Sequence, residues 1–169
     1  TPLKKWEVAL GNFPVDIRAI RDLVKALRRI QPDIVHINGK YLYLPGIIAC
    51  RRLGIPCVYS VADYFMFCPR TFIRKPDGSP CGHYHGAGCQ VCMREMKEGS
   101  VKKIASRIPP FVLKLFFVAR KWIFNHYNKK VDCFVVLTRA CKKRLAAYGI
   151  PETRLFVNYH YFIRQVGPT

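Results

Sequence analysis

Residues 31–63, QPDIVHINGKYLYLPGIIACRRLGIPCVYSVAD, decide how this chain folds. Asp33 to Asn38 and Ile55 to Val61 are short apolar runs bounded by turn residues, the signature of buried strands. Between them Pro45 suits the first turn of a helix carrying Ile47, Ile48, Cys50 and Leu53, which Gly54 can end. Helix followed directly by apolar strand is the rhythm of a parallel sheet, whose strands need crossovers to return to the same direction.

The same rhythm continues on both sides. Toward the amino terminus, Pro32 ends a helix that Asp16 can cap; Ile17, Ile20, Leu23, Val24, Leu27 and Ile30 recur at helical spacing, with Arg18, Arg21, Lys25, Arg28 and Arg29 outside that stripe. Ahead of it Trp6 to Leu10 reads as a short strand closed by the turn Gly11-Asn12-Phe13-Pro14. Toward the carboxyl terminus, Val131 to Leu137 is a third buried strand. Thr138 can cap a short basic helix from Arg139 to Tyr148 that Gly149 ends, and Leu155 to Asn158 forms a last strand. The expected fold class is α/β, a parallel sheet flanked by helices. Open sheets of this class bind ligands just beyond the carboxyl ends of their strands, which gathers His36, Asn38 and Lys40 with Asp63 and Tyr64. A carboxylate placed like Asp63 can bind a sugar hydroxyl, act as a base or cap its own loop. His36, inside a strand, fits a structural role as well as a binding one.

With 169 residues, half of them apolar, the chain can bury the core of one domain. Its 29 Lys and Arg against 10 Asp and Glu leave a net charge of +19, so its partners are expected to be anionic: phosphates, nucleic acid or an acidic membrane surface. Eight cysteines in a chain of this size and patterning point to a reducing compartment rather than a disulfide scaffold. Thr1 is not an initiator residue and no charged-then-apolar leader opens the sequence, which therefore reads as a trimmed or partial chain. Neither a P-loop nor GxGxxG is present, so the residues show no nucleotide site.

The second strand runs out into FMFCPRTFIRKPDGSPCGHYHGAGCQVC, residues 65–92. Such a stretch cannot pack a core by itself; it reads as a long loop or metal-stapled lobe, a Cys-rich insertion over 64–95 of the α/β body. Cys68, Cys81, Cys89 and Cys92 are separated by twelve, seven and two residues. Four such thiolates can close tetrahedrally around zinc and leave no open position, which would make the site structural. His83 or His85 could replace one thiol; free thiols, disulfides and an iron–sulfur cluster are the other readings. Cys50, Cys57, Cys133 and Cys141 lie on helix and strand patterns and read as small core residues.

Pro109-Pro110 starts a strongly apolar helix through about Tyr127. Lys114, Lys121, Asn125 and Asn128 share one face of it, while Leu113, Phe116, Phe117, Trp122, Ile123 and Phe124 cover most of the rest. Lys114, Arg120 and Lys121 interrupt the run too often for a membrane span. Lys114, Lys121 and Trp122 could instead form a surface that lies in a headgroup layer; a helix packed on the sheet with its lysines in water fits equally.

Taken in order, PDIVHIN, LGIPCVYSVADYFMFCPR, the CxxC of Cys89 and Cys92, and VDCFVVLTRACKKRLAAYGIPETRLFVNY resemble the amino-terminal half of family 4-type glycosyltransferases of the GT-B fold, over about Asp16 to Asn158. The resemblance implies a Rossmann-like domain, one half of a GT-B architecture, that binds the acceptor while a second such domain binds the nucleotide sugar. Hexose transfer to a glycan or lipid-linked acceptor then occurs in the cleft between them. By position it puts His36, Asn38, Asp63, Tyr64, Thr138 and Arg139 on the cleft side, with Asp63 the catalytic candidate. Many relatives carry a histidine just before that aspartate, where this chain has Ala62. The glycine-rich loop and the donor half of the family are not in the sequence, so the chain is expected to need a C-terminal donor-binding domain or a partner chain for activity. Several relatives dock on anionic membranes, which implies a cytoplasmic protein peripheral on the inner face. The competing classes are a non-catalytic zinc-stapled nucleic-acid module and a scaffold needing a partner chain. Nucleic acid is disfavoured, because no helix-turn-helix, RNA-binding sheet motif or finger spacing is present.

Overall fold

A computed structural model describes residues 16–82, 86–95 and 105–159. The strand expected at Trp6 to Leu10, and the two histidines His83 and His85, lie outside the described residues.

Four strands, β1 (Val35–Asn38), β2 (Cys57–Val61), β3 (Cys133–Val136) and β4 (Leu155–Val157), form one parallel sheet in that order, giving the α/β, Rossmann-like architecture expected of the chain. Each strand is shorter than its apolar run, yet the flanking backbone stays engaged: Val35 N–H donates to Pro56 O at 3.0 Å and Asp132 N–H to Cys57 O at 3.0 Å. The register pairs Ile37 with Tyr59, Tyr59 with Phe134 and Phe134 with Leu155, so these side chains share one buried face. His36, Asn38, Ser60, Val135 and Phe156 occupy the other face and are half-buried or exposed. Among the described residues, the helices that reach the sheet add to the core on the first face.

Helix α1 (Ile17–Ile30) begins where Asp16 Oδ1 accepts from Arg18 N–H at 2.8 Å and Ala19 N–H at 3.2 Å, the N-cap its sequence position called for. Of its apolar stripe only Ile20 is fully buried, and Ile17 and Ile30 overhang into solvent. Helix α2 (Tyr43–Leu53) starts two residues before Pro45, because a 3-10 turn over Lys40–Leu42 winds the chain first. It lies close against β1: a Cβ on Gly46 would come within 2.9 Å of Ile37 Cδ1. Gly54, at φ +70°, ends the helix in the left-handed conformation that glycine adopts without strain.

Helix α3 (Cys89–Arg94) is short, and α4 (Pro110–Asn128) spans 19 residues with Pro110 at its first position. Leu113, Phe117, Arg120, Phe124 and Asn128 form the inward seam of α4. Asn128 therefore does not share the solvent face with Lys114 and Lys121, as its helical phase suggested. Its side-chain carbonyl accepts from the Tyr43 hydroxyl, so both buried polar groups are satisfied. The Tyr43 ring centroid lies 4.6 Å from Tyr59, 5.2 Å from Phe65 and 5.9 Å from Phe124. This aromatic cluster fixes α2 and α4 over the sheet. Helix α5 (Arg139–Ala147) follows β3, with Thr138 Oγ1 accepting from Cys141 N–H at 3.0 Å as its cap.

Candidate functional site

Because the strands are parallel and end within one residue of each other in register, the segments after β1, β2, β3 and β4 emerge along one edge. Gly39, at φ +84°, turns the chain there into the 3-10 segment that carries Lys40, whose ammonium lies 5.5 Å from the Tyr41 ring centroid. Asp63 Oδ1 accepts from Phe65 N–H at 3.0 Å, so this carboxylate closes its own loop. Tyr64 is half-buried; its pKa is raised, first by burial and then by its hydrogen bond to the Cys141 thiol, against the pull of Arg144. The Arg144 guanidinium lies 5.7 Å from the Tyr64 ring centroid, within cation–π range. Thr138 caps α5 at this edge, and Arg139 beside it is exposed.

The structure thus brings Asp63 and Tyr64 to the same edge as Asn38, Lys40, Thr138 and Arg139, as the order of strands required. His36 differs. Its Nε2 is 2.7 Å from Ser60 Oγ on the second face of the sheet, short of the edge itself. Sequence reasoning missed Arg144 and Cys141, which stand three residues apart on α5 and so face Tyr64 together. Their spacing from the Thr138 cap was the available signal. Cations outnumber carboxylates at this edge, a field that favours an anionic group.

The lobe between β2 and α4 begins with a tight turn, in which Phe67 and Cys68 N–H both donate to Tyr64 O, at 2.9 and 2.8 Å. A hairpin follows: Lys75 N–H donates to Ser79 O at 2.9 Å, Arg74 bridges Pro80, and Cys81 N–H donates to Ile73 O at 3.0 Å. Cys68, Cys81, Cys89 and Cys92 all line one cavity of about 340 Å³ with Arg70 and Met93. Arg70 Nη1 is 3.9 Å from Cys92 Sγ. Among the described residues no group of three or more His, Cys, Asp or Glu side chains is arranged to hold a metal ion. Burial pushes the Cys89 thiol up to about 12. All eight cysteines are free thiols. Cys50 and Cys57 are fully buried as expected of core residues, whereas Cys133 and Cys141 are half-exposed, which corrects that part of the expectation.

A second, smaller core of Met93, Ala105, Leu113 and Phe117 seats this lobe on α4. Beside it Arg120 is wholly buried; its guanidinium donates to Phe65 O and lies 4.2 Å from the Phe124 ring centroid. Burial lowers its pKa to about 10, an effect that the nearby Cys89 and Cys68 oppose, so it stays charged at neutral pH.

On the opposite side of α4, Phe111, Leu115, Val118 and Trp122 form an exposed apolar stripe, with Trp122 69% and Leu115 64% accessible. Lys114 and Lys121 are exposed beside it. Among the described residues no helix is long and apolar enough to cross a membrane.

The family model described as Glycosyltransferase Family 4 matches residues 4–160. No solved structure matches the chain.

Proposed function

The chain belongs to glycosyltransferase family 4, and from that premise we propose that it is the acceptor-side domain of an enzyme moving a hexose from a nucleotide sugar to a glycan or lipid-linked acceptor. The observation that carries this is the convergence of Asp63, Tyr64, Thr138 and Arg144 at the carboxyl edge of the sheet. Transfer breaks the bond between the sugar C1 and the nucleoside diphosphate and forms one from C1 to an acceptor oxygen, whose proton must leave. Asp63 is the carboxylate at this edge suited to receive it. Tyr64 and Arg144 offer a hydroxyl and a planar cation, which suit an acceptor carrying phosphate. A C-terminal domain or a partner chain binds the donor.

In the full-length enzyme Arg144→Met is expected to raise the acceptor KM roughly tenfold, the loss of one charge-assisted contact, and to leave the donor KM unchanged. Asp63→Asn is expected to lower kcat by about a hundredfold or more. If Arg144→Met raised the donor KM instead, the edge would belong to the donor side. Absence of hexose transfer from every nucleotide sugar tried would remove the reading altogether.

A membrane-borne acceptor is favoured by the stripe of Phe111, Leu115, Val118 and Trp122. The exposed apolar stripe and the exposed Lys114 and Lys121 lie on this one helix, and stable docking on an anionic surface takes both apolar burial and cationic attraction.

A further inference from the structure

We propose that Cys68, Cys81, Cys89 and Cys92 bind one zinc ion as a closed tetrathiolate, with the guanidinium groups of Arg70 and Arg120 balancing its charge. The four thiols reach one cavity from separate pieces of backbone: the turn after β2, the end of the hairpin, and the short helix α3. Such convergence of cysteines distant in sequence is what a lobe without a large core of its own needs from a metal.

Charge points the same way. Each thiol gives up its proton on binding, so zinc with four thiolates carries two net negative charges and releases four protons. Arg70 already reaches Cys92 Sγ at 3.9 Å, and the buried Arg120 lies within electrostatic range of Cys68 and Cys89. The backbone adds a third observation. Thr71 and Ile73, both β-branched, have φ of 70° and 53°, a left-handed conformation that persists only where the surroundings dictate it. Both residues lie between Cys68 and Cys81, where ligation at each end would dictate it.

The closed site has no coordination position for substrate. Its effect on the acceptor edge runs through Cys68, whose N–H donates to Tyr64 O, so the metal positions Tyr64 rather than touching the reaction.

The test is independent of transfer activity. The chain is purified under reducing conditions and its metal measured by mass spectrometry, with chelator competition for affinity and cobalt substitution for geometry. About one zinc per chain is expected, retained in Cys133→Ser and lost in Cys89→Ser. Cobalt is expected to give the intense ligand-field bands of a tetrahedral thiolate site. Arg70→Met should weaken zinc affinity by roughly tenfold or more, since partners of metal ligands tune affinity by that order. Should Cys89→Ser fail to fold, the cobalt spectrum of the unaltered chain decides. Less than about a tenth of an equivalent of zinc, a weak octahedral cobalt spectrum, undiminished zinc in folded Cys89→Ser, or iron with sulfide in place of zinc would each overturn the proposal.

Discussion

Arg120 enters the core from the middle of α4, where a charged residue looks like an interruption of a hydrophobic run. Its helical phase matches Leu113, Phe117 and Phe124, and its guanidinium serves the Phe65 carbonyl and the Phe124 face. Arg120→Met keeps the volume but leaves that carbonyl without its charged donor, so a loss of about 1–3 kcal/mol is expected in urea unfolding. Repeating the measurement with and without zinc gives a coupling between Arg120 and the metal, which a purely local role would not show. Tyr43→Phe is the neutral counterpart: it strands the buried Asn128 carbonyl and should cost about 1–3 kcal/mol. At Tyr64, by contrast, the residue is half-buried and its hydroxyl is shared with Cys141 and Arg144, so its removal should alter acceptor binding more than stability.

Helix α4 carries two apolar lines on opposite sides, and only packing tells them apart. Leu113, Phe117 and Phe124 bury against the sheet and the cysteine lobe, while Phe111, Leu115, Val118 and Trp122 face outward. In sedimentation with vesicles, the chain is expected to bind anionic membranes in a salt-sensitive way and neutral ones weakly. Reversing both Lys114 and Lys121 to Glu should weaken anionic binding by at least about tenfold, and Trp122→Ala should weaken it with little change in stability. Equal binding to both vesicle types, or none to either, would remove the membrane reading. The cap of α1 is a simpler case, since Asp16→Ala should cost about 1 kcal/mol in thermal unfolding.

For the whole molecule, the cysteine lobe joins the carboxyl edge of the sheet to α4, and its protonation chemistry should mark stability. In the metal-free chain burial raises Cys89 from 9.0 to about 12, so the folded state holds this proton more tightly than the unfolded one. That contribution is complete below about pH 9 and is lost as pH rises through 9 toward 12. With zinc bound the sign reverses, because protons compete with the metal and stability should fall as pH drops. Melting temperature against pH, with and without chelator, checks both limbs. The sequence by itself determined the parallel α/β sheet, the caps at Asp16 and Thr138, the glycine stop at Gly54 and the strand ends that carry Asp63 and Tyr64. Those features follow from local periodicity and capping chemistry, which act within a few residues. Only the tertiary structure decided that His36 turns to Ser60 on the open face, that Arg120 and Asn128 point inward, and that Arg144 and Cys141 meet Tyr64. Those outcomes depend on contacts between segments far apart in the chain, and a helical phase or strand alternation does not say which of its two faces another element will cover.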